Sequence, residues 1–115
     1  MNTIWALLGA AVVAALGIVI GYDGLARDRG IEGAVVGRVL ASGPASRAGL
    51  RGLGADDELG DVITGVNDQE IHGEADLYEA LEPYRAGEEV LVRINRPDRS
   101  GRSSEELRIR LESLR

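Results

Sequence analysis

Very few groups in this chain are equipped for covalent or metal chemistry. His72 is the single histidine and cysteine is absent. That removes disulfides, thiolate metal sites, most zinc sites and the hydrolase arrangements that set a histidine beside a nucleophile. The serines fall mainly in turn sequences away from His72, and His72 itself follows a short expected strand and reads as a surface residue. The 13 cations, all of them arginine, stand against 19 acidic side chains for a net charge of −6. That balance has the wrong sign for a surface that grips a phosphate backbone. No catalytic residue, metal ligand, cofactor or nucleic-acid partner is expected. The chemistry left to the chain is association with another protein, through backbone hydrogen bonds, apolar surface and ion pairs.

Charged side chains are missing from residues 1–22, and residues 4–20 are almost unbroken apolar sequence. A helix needs about 20 such residues to cross a bilayer. The stretch therefore reads as a membrane anchor, with a cleaved signal peptide or a buried amphiphilic helix as alternatives. A signal peptide has a basic start, which is lacking here, although Val13-Ala14-Ala15 fits a cleavage site. Ala10, Ala14, Gly17 and Gly21 form a stripe of small residues on one helix face, and the spacing from Gly17 to Gly21 lets two membrane helices pack closely. Trp5 suits the membrane interface, and Arg27 and Arg29 beyond the far end would by charge hold the remainder in the cytoplasm. The chain thus divides into an anchor helix over residues 1–22 and a folded domain over 23–115.

The domain reads as mixed α and β. Residues 34–40 form a buried-strand pattern ended by the turn residues Ser42-Gly43-Pro44, and residues 45–50 allow one or two helical turns closed by Gly49 and Gly52. A strand is expected over 61–66, a turn at Asn67-Asp68 and a short strand at Glu70-Ile71. Residues 74–84 have helical spacing, with Leu77, Leu81 and Tyr84 on one face. Residues 89–95 alternate, with Val90, Val92 and Ile94 inward, and 106–111 repeat the pattern through Leu107, Ile109 and Leu111. Between them, residues 96–102 read as a polar hairpin loop. The expected fold is an α+β domain of five or six strands and two short helices, closed as a small barrel or sandwich behind the N-terminal hydrophobic, transmembrane helix.

The order of motifs is specific. Gly33-Ala34-Val35-Val36-Gly37-Arg38-Val39-Leu40 leads to Gly43-Pro44-Ala45-Ser46-Arg47-Ala48-Gly49-Leu50, then to Gly60-Asp61-Val62-Ile63 with Val66-Asn67. It continues through Glu74-Ala75-Asp76-Leu77-Tyr78-Glu79-Ala80-Leu81 and Ala86-Gly87-Glu88-Glu89-Val90. This run, over about residues 16–111, resembles the PDZ domain of the bacterial HtrA/Deg serine proteases, the PDZ module alone. Residues 53–59 look like the acidic insertion that some Deg members place before the Gly-Asp-Val-Ile strand. Asp68 stands where that family usually has glycine. The resemblance implies a groove between one strand and one helix, where a peptide adds as an extra strand and backbone amides hold its C-terminal carboxylate. The matching positions here are Leu16-Gly17-Ile18 followed by Val19 and Ile20, with Glu74 and Tyr78 presented by the facing helix. No lysine or arginine is evident at the carboxylate loop.

Residues 16–22 cannot be both the last turns of an anchor helix and the first strand of the domain. The small-residue stripe that includes Gly17 and Gly21 favours a helix continuing to about residues 18–22. Two functions follow, neither catalytic. One is a membrane-tethered accessory or adaptor subunit that docks on a membrane protein complex. The other is a groove-type binder of C-terminal peptide tails that regulates a separate serine protease. The family resemblance implies a single-pass inner-membrane protein with its domain in the periplasm, against the orientation drawn from Arg27 and Arg29.

Overall fold

The computed structural model of the chain describes residues 12–13 and 15–112. Seven strands lie among them: β1 (Val12–Val13), β2 (Ile18–Ile20), β3 (Ala34–Val39), β4 (Val62–Val66), β5 (Gln69–Glu70), β6 (Glu89–Asp98) and β7 (Gly101–Arg110). The helices are α1 (Gly24–Arg27), α2 (Pro44–Ala48) and α3 (Glu74–Leu81), with a 3-10 turn at Ala55–Asp57. Pairing is antiparallel throughout in the order β1-β2-β3-β4-β6-β7, with β5 beside β4. The α+β class is as expected. The sheet, however, stays open, since no ladder joins β1 to β7 among the described residues.

Alternation in the sequence becomes the core. Val90, Val92 and Ile94 of β6 and Ile109 of β7 are buried, and Val90 pairs directly with Ile109. Leu77 and Leu81 reach the same cluster from α3, and Ala34 and Val36 reach it from β3. The other face of β3 is also covered. Val35 and Val62 pack with Ala26 of α1 and with Leu59, flanked by Leu25, Ile31 and Leu53. That is why Ala34, Val35 and Val36 are consecutive and all inaccessible: a strand buried on both faces shows a continuous apolar run instead of alternation. The acidic insertion at 53–59 thus supplies Leu53 and Leu59 to a second, smaller core.

The expectation of a helix running to residues 18–22 is overturned. Ile18–Ile20 is strand β2, paired with β3 through Ile18↔Val39, Val19↔Arg38 and Ile20↔Val36. Leu16, Ile18 and Ile20 sit in the main core, where each fully buried side chain contributes about 1.5–3 kcal/mol. Residues so placed cannot also face lipid. Gly17 has a φ of +73°, in the left-handed region that a continuing α-helix does not use and ordinary side chains avoid. Gly17 and Gly21 therefore share no helix face. Gly17 packs by Pro44 and Gly21 by Val35 and Gly37, while Ala10, Ala14 and residues 1–11 lie outside the described residues. Among the described residues, no helix is long and apolar enough to cross a membrane.

The expected polar loop at 96–102 is also corrected. β6 and β7 continue as a ladder from Glu89↔Arg110 to Asp98↔Gly101, leaving only Arg99 and Ser100 as the turn. Asp98 accepts from the Ser100 amide at 2.9 Å and the Ser100 hydroxyl at 3.0 Å, and hydrogen bonds from Ser103 and Ser100 hold its carboxyl below the usual range. Left-handed backbone falls on Asn67 (φ +52°) instead of Asp68, so glycine is not required at 68.

Extending β6 brings Arg96 inward onto Asp61. The Arg96 guanidinium forks over the carboxylate, Nε to Oδ1 at 2.9 Å and Nη2 to Oδ2 at 2.7 Å. Asp61 is fully buried and the Arg96 side chain is 11% exposed. Asp61 Oδ2 also accepts from the Arg51 amide at 2.8 Å, and Arg96 Nη2 donates to the Gly49 carbonyl at 2.7 Å. Removing one partner of such a pair leaves an uncompensated charge at a loss of about 3–5 kcal/mol. Asp61→Ala and Arg96→Ala are each expected to lose about that much in urea unfolding. The double variant should lose clearly less than the two losses added. Strict additivity would show that the pair is not coupled.

Candidate functional site

The candidate site is built from the turn before β2, the outer edge of β2 and the facing side of α3. The turn is held by α2. Its Leu16 carbonyl accepts from the Ala45 amide at 3.0 Å, and its Gly17 carbonyl accepts from the Leu40 amide at 2.9 Å. A Cβ on Gly17 would stand 3.1 Å from Pro44 Cδ in a backbone conformation that already favours glycine. Leu16-Gly17-Ile18 is therefore a rigid corner, fixed from one side by Pro44 and Ala45 and from below by the burial of Leu16 and Ile18.

β2 uses one edge for β3. Gly17 O and the Gly21 amide both point that way, to Leu40 and Val35, so the polar groups of Ile18 point to the opposite edge. That outer edge is occupied along part of its length by β1, through Val13↔Ile18 and Val12↔Val19. β1 runs antiparallel to β2 and toward the Leu16-Gly17 corner.

α3 presents two faces. Leu77, Ala80 and Leu81 are buried, as the spacing of the leucines predicts. Glu74 and Tyr78 lie one turn apart on the outside, with Tyr78 40% exposed and its hydroxyl donating to Glu74 Oε2 at 2.8 Å. Partial burial, and then the hydrogen bond and charge of Glu74, push the Tyr78 phenol well above the ordinary tyrosine range. The helix starts at Gly73 without a side-chain cap of its own. Its first amide, Glu74 N, is taken instead by the carboxylate of Asp23, which lies three residues beyond the end of β2.

Residues expected from the sequence thus occupy two walls. Leu16, Gly17, Ile18, Val19 and Ile20 form one, Glu74 and Tyr78 belong to the other, and residues of both walls meet in one core cluster through Ile18, Ile20, Leu77 and Leu81. Two residues were missed. Asp23 stood only as the first charge after the apolar stretch, and no local signal points it at residue 74. Arg47 of α2 reaches the approach to the corner only through an acidic partner. It pairs with Glu112, whose amide donates to the Ala15 carbonyl at 3.1 Å just before the corner. It also lines a shallow cleft with Pro44, Ala48, Glu89, Arg108 and Arg110.

His72 lies beside the start of α3. Its Nδ1 is 2.8 Å from Glu32 Oε1, its Nε2 is 3.6 Å from Glu70, and its amide donates to Asp76. Among the described residues no cluster of histidine and acidic groups is arranged to hold a metal. The Glu32 hydrogen bond raises the imidazole above its ordinary 6.5. Since the folded value is the higher one, the pairing stabilises the fold fully below about 6.5 and is lost as pH rises through the raised value. Proton NMR follows the lone imidazole without overlap. Its midpoint should lie above 6.5 and fall in Glu32→Gln; an unchanged midpoint would remove Glu32 as the cause.

Comparison with known proteins places these features in a family. The model described as PDZ domain matches residues 7–111. Protease Do-like 1, chloroplastic, of Arabidopsis thaliana is 37% identical over 87 residues, 72% of this chain and 20% of the relative. Protease Do-like 8, chloroplastic, of the same plant is 33% identical over 104 residues, 86% of this chain and 22% of the relative. The chain therefore spans about a fifth of the length of these curated relatives. A solved HtrA-type protease with a decapeptide shares the fold, with a TM-score of 0.62 and 24% identity over 84% of this chain and 28% of that one.

Proposed function

The chain belongs to the PDZ domain family, and from that premise we propose that it is a non-catalytic module that binds an extended peptide tail between β2 and α3. One observation carries the reading. The outer edge of β2 already accepts an antiparallel strand, β1, running toward the Leu16-Gly17 corner. A tail adding to that edge would follow the same course, with its main chain paired to Ile18 and Ile20. Its terminal carboxylate would meet the backbone amides of the corner. Its alternate side chains would face α3 at Glu74 and Tyr78. The HtrA-type structure that shares the fold was solved with a decapeptide, which fits a peptide as the partner. A tail of this kind on a separate protease is the partner we favour.

Membrane tethering is the second reading. It rests on the absence of charge in residues 1–22, of which those from Leu16 onward are already committed to the domain. It would make the chain an accessory subunit of a membrane complex, a single-pass inner-membrane protein with its domain in the periplasm. Resistance to alkaline carbonate extraction tests it, and release into the wash would end it.

The tail reading makes a sharper demand, because β1 and a tail compete for one edge. The test is a library of carboxy-terminal decapeptides screened by fluorescence anisotropy. At least one free-acid peptide should bind. Amide-capping that peptide should weaken it about tenfold, the scale of one lost charged hydrogen bond. Val13→Pro, which removes the N–H facing Ile18, should tighten it by releasing β1. A library without a binder, or binding indifferent to the cap, overturns tail recognition.

A further inference from the structure

Asp23 does not do what its place in the sequence implies. It occupies the N-cap position of α1, where its carbonyl accepts from the Ala26 and Arg27 amides at 3.1 Å each, yet its side chain makes no bond to α1. The carboxylate crosses to α3 and takes the Glu74 amide between its two oxygens, at 3.1 and 3.2 Å. The first amides of a helix have no partner within it, and a carboxylate there gains both a hydrogen bond and the helix dipole.

The usual donor of such a cap is the residue just before the first turn. Here that residue is Gly73, which has no side chain to offer. A Cβ on Gly73 would stand 2.6 Å from Asp23 Oδ2, so the bare glycine is what admits the foreign carboxylate. The contact joins the end of β2 that is remote from the Leu16-Gly17 corner to the first turn of α3. One wall of the groove is thereby fastened to the other at the end where the upstream part of a bound tail would pass. Asp23 also acts on that wall electrostatically, being one of the charges that push up the Tyr78 phenol.

We propose that Asp23 is a positioning residue of the groove. Its bond to the Glu74 amide sets how far α3 stands from β2, and so fixes the width available to a tail. This rests on the tail-binding reading above. Without the bond, the first turn of α3 keeps an orphan amide and moves independently of β2. Glu74 and Tyr78 then have no fixed distance from the strand that a tail would extend, and the tail must order them as it binds.

Three variants separate this role from a plain helix cap. Asp23→Ala removes the acceptor. Gly73→Ala keeps the aspartate but drives a methyl group into its carboxylate. Asp23→Asn retains one acceptor oxygen. Hydrogen exchange without peptide reads the clamp: the Glu74 amide should lose protection in Asp23→Ala and Gly73→Ala and keep most of it in Asp23→Asn. Anisotropy with a tail that binds the unmodified chain, at a temperature where all variants are folded, reads the groove. Asp23→Ala and Gly73→Ala should weaken that tail about tenfold, and Asp23→Asn about threefold or less. A folded Asp23→Ala that binds as tightly as the unmodified chain overturns the proposal, as does unchanged protection at Glu74. If protection is lost but no tail binds even the unmodified chain, the groove reading falls, and Asp23 is left as a structural cap only.

Discussion

The ion pair between Asp61 and Arg96 is the joint on which the remaining geometry hangs. It lies where β4 begins and β6 ends, and its outlying hydrogen bonds reach the Gly49 carbonyl and the Arg51 amide. Gly49 is the C-cap of α2, held in left-handed backbone at φ +90°. The other end of α2 supplies Pro44 and the Ala45 amide that fix the Leu16-Gly17 corner. A single path of contacts thus runs from a buried charge to the corner of the candidate groove. Two charges withdrawn from water gain little net stability. What the fork geometry adds is a set of hydrogen bonds that ties the end of α2 to the start of β4 and the end of β6 at once.

β3 is the second constraint. A central strand has two faces, and on this one both are sealed: the main core lies beneath Ala34 and Val36, and the smaller cluster of α1 and residues 53–59 covers Val35. Sealing the second face requires the chain between β2 and β3 to stay close, which turns it sharply after Ile20 and puts Asp23 within reach of α3. The packing that buries Val35 and the bond from Asp23 to α3 therefore come from the same short segment.

Much of this was legible in the residues. The alternation in β6 and β7, the Leu77 and Leu81 spacing in α3 and the glycine exit of α2 each follow from local rules, and all three stand in the structure. The failures share a cause, which is that the deciding partner is distant. Arg96 reads as a loop cation until Asp61, 35 residues away, is placed against it. Asp23 reads only as the first charge after the apolar stretch until Glu74, 51 residues away, comes to meet it. Residues 16–20 had the composition of either a lipid-facing helix or a buried strand. The Gly17 and Gly21 spacing favoured helix and the β-branched Ile18, Val19 and Ile20 are common in strands, so only a pairing partner in β3 decides the matter.

The candidate groove is held at its two ends by different physics. At the corner the restraint is steric: a Cβ on Gly17 would press on Pro44 in a backbone conformation where side chains are strained. At the far end it is electrostatic, one carboxylate shared by a single helix amide. Between them the strand edge is not bare. β1 covers it through two residue pairs, and each hydrogen bond there contributes a net of about 0.5–1.5 kcal/mol. A cover of that strength shields an edge that would otherwise pair with any passing strand. On the proposed reading a longer tail replaces that cover, because a tail making more main-chain bonds would gain at the edge what β1 gives up. The rigid ends and the yielding middle suit the proposed reading: the two walls would keep the spacing that makes an added strand specific, and the exchange would take place on the edge between them.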